Sequence, residues 1–428
     1  MSKEIQKILF FFLILFSIYC AITIGETWDE NFHINQGKVI INYLFSLGAI
    51  DKDILYRENY SSIYWSLSYL IIKQFPSLYH IEISHLINSL VSISTIIGVG
   101  KLSQELFNKK VGKIVFLILF FYPVFFGHMA INSKDTILAF SHVWITYLLL
   151  RYLKNQYSSV KSKKYIIFLS VLAAIATGIQ LVFVGSLIPI IIFFIIDIFF
   201  TKKIVNKNFN TKKLIYDFIK FFIIFYALLV FFWIDIHTNI FTSPFRILIA
   251  TLSESYWTGW PFNLSNGNFY MADNVPNYYL LTNYIFKSPE YVLASYIVFI
   301  ILVILSRKFF EIKFSYFNYK ILLILFILIF PNLIFFLIPY PIYDGMRLFL
   351  WTLPYLCIIP GITIYYLLKN IYKISSKIYL LFISIFFIYF LFNFFNITPY
   401  QYTYLNILNG DNKNKYKKFE NDYWGASI

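Results

Sequence analysis

Four short stretches of the chain gather side chains capable of chemistry. The first, Thr27-Trp28-Asp29-Glu30-Asn31-Phe32-His33, sets two adjacent carboxylates directly after an apolar run. A carboxylate at a lipid–water boundary loses part of its hydration, which raises its pKa and suits it to accept a proton. Adjacent residues point differently, so one of the pair is the candidate general base: Asp29, with Glu30 in support and His33 as a hydrogen-bonding neighbour. A solvated acidic loop is the competing reading. The second stretch, His128-Met129-Ala130-Ile131-Asn132-Ser133-Lys134-Asp135, packs four polar side chain types into a turn between apolar runs. Here Lys134 suits a phosphate, Asp135 suits an acceptor, a donor sugar or a metal ion, and His128 and Asn132 support them. An ion pair beside the bilayer is the alternative.

The third stretch is Tyr340-Pro341-Ile342-Tyr343-Asp344-Gly345-Met346-Arg347. Asp344 and Arg347 can simply pair, or Arg347 can face a phosphate, which guanidinium matches in geometry and permanent charge; Tyr343 lies beside them. The fourth is Tyr256-Trp257-Thr258-Gly259-Trp260-Pro261-Phe262. Its Trp257 and Trp260 fit either an aromatic belt or a platform for sugar or isoprenoid. No Gly-rich phosphate loop, His/Cys metal spacing or Ser-His-Asp order stands out.

The elements that must position these residues are membrane helices. The 428 residues are 59% hydrophobic and 13% charged, far from the balance of a soluble domain. Apolar runs predict an all-α polytopic membrane protein of about 11 spans, near 6–25, 83–100, 112–127, 136–152, 164–178, 182–200, 215–233, 290–306, 320–338, 347–367 and 378–396. With a cytoplasmic N-terminus, two thirds of the 36 Lys and Arg fall on the short inner segments. That is the positive-inside pattern, and it makes membrane lipid, rather than nucleic acid, the partner of the +15 net charge. About three quarters of the 21 acidic residues lie on the other side, in outer loops 26–82, 128–135, 234–289 and 339–346 and a periplasmic tail, 397–428. Chemistry is therefore expected at the outer face. Within 26–82, two interfacial amphipathic helices are expected near 34–47 and 61–75. Asp197 and Asp217 read as interfacial residues near the inner end. Cys20 and Cys357 sit in apolar runs and read as buried thiols. The first span begins with Lys3 and Lys7 but shows no small-residue cleavage site before Gly25, so it reads as a retained helix.

Taken together and in order, these stretches resemble the bacterial membrane glycosyltransferases of family 39. These are relatives of the dolichyl-phosphate-mannose–protein mannosyltransferases and of the aminoarabinose transferase that modifies lipid A, and they share the GT-C architecture. Thr27 to Glu30 with His33 and Gly37 is similar to the family's first-loop acidic motif. "HLIN" at 85–88 is similar to the start of its second span. "FGHMAINSKD" at 126–135 resembles its "FGH…NPKD" turn, with Ser133 in place of a common proline. "NGNFYMADNVPNYYL" at 266–280 and "SPE" at 288–290 resemble its fourth outer loop. "YDGMRLFLWTLP" at 343–354 resembles "YDGxRHFLF", with Leu348 replacing the usual His, and "PYQYTYLN" at 399–406 and "DYWGAS" at 422–427 resemble its tail.

The resemblance implies a GT-C-type transmembrane domain over 1–396 in the bacterial inner membrane, with a periplasmic C-terminus. It implies inverting sugar transfer from a polyprenyl-phosphate donor to a periplasmic-side acceptor, which is a lipid, glycan or protein. Asp29 becomes the expected catalytic base with Glu30 adjacent, Asp135 a second active-site acid, and Lys134 and Arg347 the phosphate-binding cations. Members differ in metal need; a divalent cation, if one binds, would fall to Asp29 and Asp135. Two other readings compete. A transporter or flippase of lipid-linked sugars calls for polar residues through the midplane and often for internal repeats. A non-catalytic subunit on the same scaffold would keep the fold without the reaction.

Overall fold

The computed structural model describes residues 3–49, 60–252, 262–337, 340–410 and 414–427. Trp257 and Trp260 lie outside the described residues. Helices dominate, and the described strands form one two-stranded antiparallel hairpin, Phe262–Ser265 with Asn268–Met271. Among the described residues eight helices are long and apolar enough to cross a bilayer, and ten if each of two bent pairs is one span. The protein is thus a polytopic membrane protein.

The expected count of about 11 spans is corrected at the bent and broken segments. The run 112–127 is two helices, Lys109–Phe120 and Pro123–Ile131, meeting at 68°. Pro123 cannot donate an N–H or continue the preceding helix without a clash, so the chain turns there. The expected span 182–200 is short pieces: Phe183–Ser186, Ile188–Ile196 and a π-helical turn Asp197–Thr201. Uninterrupted apolar residues suggested one rod, but Pro189 opens a new helix in the middle of it. A second bent pair, Tyr279–Lys287 and Glu290–Leu305, meets at 107° with Pro289 between its members.

Between the first two spans lie Glu30–Phe45 and Ile63–Ile72, at the places where short helices were expected. They touch backbone to backbone: a Cβ on Gly37 would come within 2.3 Å of the Trp65 carbonyl oxygen. Small residues of this kind let apolar helices gain dispersion contacts where lipid supplies no hydrophobic drive.

Chain direction places the reactive stretches together. Lys3–Thr23 runs toward one end of the bundle, and Asp135–Asn155 and the segment starting at Arg347 run away from it. At the opposite end Glu105 holds Arg151 and Lys154 at 3.0 and 2.7 Å. Asp197 and Asp217 are there too, but both are buried, contrary to the interfacial reading. Asp197 accepts backbone N–H groups from Lys203, Ile204 and Val205, and Asp217 accepts from the Tyr152 and Ser162 hydroxyls. Each stabilises a connection that would otherwise leave donors unmatched in an apolar setting.

After the last span, Ile374–Asn396, the chain folds back over the reactive end. Glu290 anchors it by accepting the Tyr404 hydroxyl and the Ile407 N–H. Asn406 donates to the Ile285 and Ser288 carbonyls. Phe419 then bridges to Ser265 of the hairpin. The backbone of this tail runs against Gly127, where a Cβ would stand 2.0 Å from the Tyr402 nitrogen.

Candidate active site

Each reactive side chain is delivered by a helix end. Asp29 is the N-cap residue of Glu30–Phe45, but its carboxylate makes no capping hydrogen bond to the first turn and turns to Arg347 instead. Asn132 shapes the next turn: its side-chain oxygen accepts the N–H groups of Lys134 at 3.2 Å and Asp135 at 2.9 Å. That Asx-type turn starts the helix Asp135–Asn155 and fixes the Asp135 side chain. Asp344 and Gly345 both adopt left-handed backbone, at φ +57° and +62°, which aspartate and glycine tolerate best. The resulting tight turn points Asp344 back at Arg347.

Arg347 is the centre of the site. Its Nη2 donates to Asp29 Oδ2 at 2.7 Å, its Nε to Asp135 Oδ2 at 3.2 Å and its Nη1 to Asp344 Oδ2 at 2.8 Å. Three carboxylates from three separate stretches thus share one guanidinium, whose fixed fork of donors makes this possible. Of the two readings for the third stretch, Asp344 and Arg347 do pair, and the same arginine also holds both other acids. The guanidinium lies 3.9 Å from the centre of the Trp424 ring and 6.0 Å from that of Tyr343.

Lys134 stands next to this cluster, its ammonium 3.3 Å from the Tyr60 hydroxyl. Burial works against its charge, but Tyr60, Tyr343 and Asp135 outweigh that and hold its pKa above the ordinary lysine value. For Asp29, burial is the largest single influence and pushes the pKa up, but Arg347, His33 and Lys134 together outweigh it and keep it below the usual carboxylate range. Asp344 is the reverse case: burial dominates and raises it despite Arg347. His33 stacks on Trp65 with centroids 4.2 Å apart and meets the Ser133 hydroxyl through Nδ1 at 3.0 Å. Burial drives its pKa down to about 3, so it is neutral at physiological pH.

Not every expected residue faces the same space. Glu30 is 3% exposed, and its carboxylate is taken up by the Thr27 N–H and hydroxyl and by His85 Nε2 at 2.6 Å. It therefore locks the first-loop turn to the helix His80–Leu106 and leaves Asp29 as the acid that opens outward, 40% exposed. His128 meets Tyr423 and Asn132; it does not touch the three acids directly among the described residues, and its links to the cluster run through Asn132, which donates to Asp135 at 2.9 Å, and through the Trp424 ring. Asp135 Oδ1 is buried without a hydrogen-bond partner among the described residues. Asp29 and Asp135, the acids expected to hold any divalent cation, each give an oxygen to Arg347. Among the described residues no three His, Cys, Asp or Glu side chains group as a metal would require.

Sequence reasoning missed His85, Lys287, Tyr423 and Trp424. His85 and Trp424 lie in "HLIN" and "DYWGAS", so order along the chain flagged the stretches but not the side chains. Lys287 is 3% exposed and sits by Gly345, donating to the Glu420 carbonyl at 3.2 Å. Burial pushes the pKa of the neighbouring Glu420 carboxyl up.

With fold and geometry described, the class follows: an apolar helical bundle with an acid–arginine cluster at one mouth, in the GT-C-type membrane fold. Among solved structures, the chain is similar to ArnT from Cupriavidus metallidurans in the apo state, at TM-score 0.58 and 12% identity over 85% of this chain and 60% of that one. The same protein bound to undecaprenyl phosphate gives TM-score 0.56 at 11% identity, with 85% and 60% covered. An oligosaccharyltransferase from Archaeoglobus fulgidus in the apo form gives TM-score 0.49 at 10% identity, with 92% and 56% covered. The chain thus spans about 60% of the length of the ArnT structures. No family model and no curated protein matches the sequence.

Proposed function

We propose that the protein is a membrane glycosyltransferase that moves a sugar from a polyprenyl-phosphate carrier to a hydroxyl acceptor at the outer face of a bacterial inner membrane. The observation that carries this reading is the convergence of Asp29, Asp135, Lys134 and Arg347 at one mouth of a GT-C-type bundle. The binding of undecaprenyl phosphate by the structurally similar ArnT supports a lipid-phosphate donor.

In this reading the acceptor oxygen attacks the anomeric carbon from the side opposite the phosphate. Asp29 takes the acceptor's proton as the new C–O bond forms. The bond to the phosphate oxygen breaks, and polyprenyl phosphate leaves with the electron pair. Configuration inverts, and one carboxylate base suffices. Lys134 and Arg347 face the charge that grows on the phosphate, where fixed cations lower the barrier most. Asp135 Oδ1, buried and without a hydrogen-bond partner among the described residues, has capacity for a donor-sugar hydroxyl. Glu30 holds the base in register rather than acting on substrate.

Purified protein in liposomes, given a panel of polyprenyl-phosphate sugars with lipid, glycan and peptide acceptors, should release polyprenyl phosphate and form a product of inverted configuration. Asp29→Asn should bind donor but transfer about 10²–10⁴-fold more slowly, the usual range for a lost general base. Unchanged transfer by Asp29→Asn would end the base assignment, and inert donors throughout would end the enzyme reading.

A further inference from the structure

The C-terminal segment reaches the centre of the site, and nothing in the proposed reaction gives it a part. We propose that Trp424 is a positioning residue: its indole face holds the Arg347 guanidinium in the plane from which it meets Asp29, Asp135 and Asp344. This rests on the glycosyltransferase reading for its functional meaning, but not for its physical test.

Three observations carry it. The guanidinium carbon lies 3.9 Å from the Trp424 ring centre, close contact for a cation over an aromatic face. Trp424 is 1% exposed, yet its indole N–H has no acceptor among the described residues. A buried tryptophan ordinarily satisfies that N–H, so what fits this one to its place is the ring face and not its hydrogen bond. The neighbouring backbone is built to bring it there: Gly425 has φ +65°, and a Cβ on it would stand 2.6 Å from the Trp28 indole nitrogen. Trp28 precedes Asp29, so the first loop and the tail clasp the arginine between them.

The carboxylates engage all three guanidinium nitrogens, but a hydrogen bond tolerates some bending at the donor before it weakens, so edge contacts alone leave room for tilt. The indole restrains it from one face. If the arginine tilts, its contact with Asp29 weakens first, because Asp29 is the most exposed of the three acids. The charged and titratable groups around Asp29 are Arg347, Lys134, His33 and Asp344. Of these only Arg347 donates to the Asp29 carboxylate directly among the described residues, so a weaker contact removes part of what opposes burial and the Asp29 carboxyl rises, with Lys134 and His33 still pulling the other way.

The test reads Asp29 protonation without turnover. A hydrophobic carbodiimide modifies carboxyls in their protonated form, and mass spectrometry of the Asp29 peptide across pH gives a midpoint in the intact protein in nanodiscs. Trp424→Leu, which stays apolar but removes the π face, should raise that midpoint by about one pH unit, and Trp424→Phe should leave it near wild type. In liposomes, the acid limb of kcat/KM should move with it. Equal midpoints in wild type and Trp424→Leu, with both folded by circular dichroism, overturn the proposal. A shifted midpoint in a protein that turns over no donor keeps it and overturns only the glycosyltransferase reading. If Trp424→Leu does not fold, the comparison of Trp424→Phe with Trp424→Met decides, and equal midpoints there overturn the proposal.

Discussion

At the scale of residues, one arginine serving three acids sets how the site responds to substrate. A depressed Asp29 pKa makes a weak base while the site is empty. A donor phosphate near Lys134 and Arg347 shares their charge and relaxes the pull on Asp29. Burial then acts with less opposition, and the carboxylate becomes more basic just as the reaction needs it. The sign of the pH dependence follows. As the proposed base, Asp29 must be ionised to act, so on that reading activity should fall as pH drops through its pKa, low in free protein and higher with donor bound. The acid limb of kcat should therefore lie at higher pH than that of kcat/KM, since the two report bound and free enzyme. Coincident limbs would mean that donor binding does not touch the Asp29–Arg347 pair. Arg347→Lys should lose far more than charge bookkeeping suggests, about 2–5 kcal/mol of barrier or binding, because an ammonium cannot reach three carboxylates in a plane; a transfer assay within twofold of wild type would contradict this.

At the scale of elements, the site depends on anchors that touch no substrate. Glu30 and His85 join the first loop to the second crossing, deep enough that removing one partner strands the other. Glu30→Ala should cost about 3–5 kcal/mol, read as a large fall in melting temperature in detergent, with activity lost alongside. Gly127→Leu should detach the tail, since even a Cβ there collides with the Tyr402 backbone. Limited proteolysis would then cut after the last span at a rate at which wild type stays intact. Much of this architecture was legible beforehand. Apolar runs located nearly every crossing, and the polar stretches at their ends located Asp29, Asp135, Asp344 and Arg347, because a polar side chain at a helix mouth has few other places to go. What stayed hidden was pairing between distant segments. Glu30 beside Asp29 reads as a second acid, and only the approach of His85 shows it to be occupied. Pro189 sits in so apolar a run that composition outweighed the break it causes. Trp424 carried no sign of its neighbour, since an aromatic near a membrane is ordinary and its contact partner lies in another loop.

At the scale of the whole molecule, most of the basic residues fall at the end of the bundle opposite the cluster of Asp29, Asp135 and Asp344, which is the observation that orients the proposal. Native Cys20 and Cys357 are 7% and 0% exposed, so an introduced thiol can be read against a quiet background. Leu47, at the site end, and Val160, at the other, are 95% and 79% exposed. A membrane-impermeant maleimide applied to intact spheroplasts should label Leu47→Cys and spare Val160→Cys, with both labelled once the cells are broken. The reverse pattern would place the site in the cytoplasm and remove the outer-face reaction.

The return of the tail over the mouth has a consequence for how the protein comes into being. Glu420 to Ser427 follows every bundle helix in the chain, so those helices can be threaded into the bilayer while Arg347 still lacks its aromatic cover. In the proposed orientation, competence would arrive late in biogenesis, when the segment beyond Ile374–Asn396 has crossed and has settled against Trp28. A half-inserted chain would carry its acids and its cations in the right helices and still be unready to work.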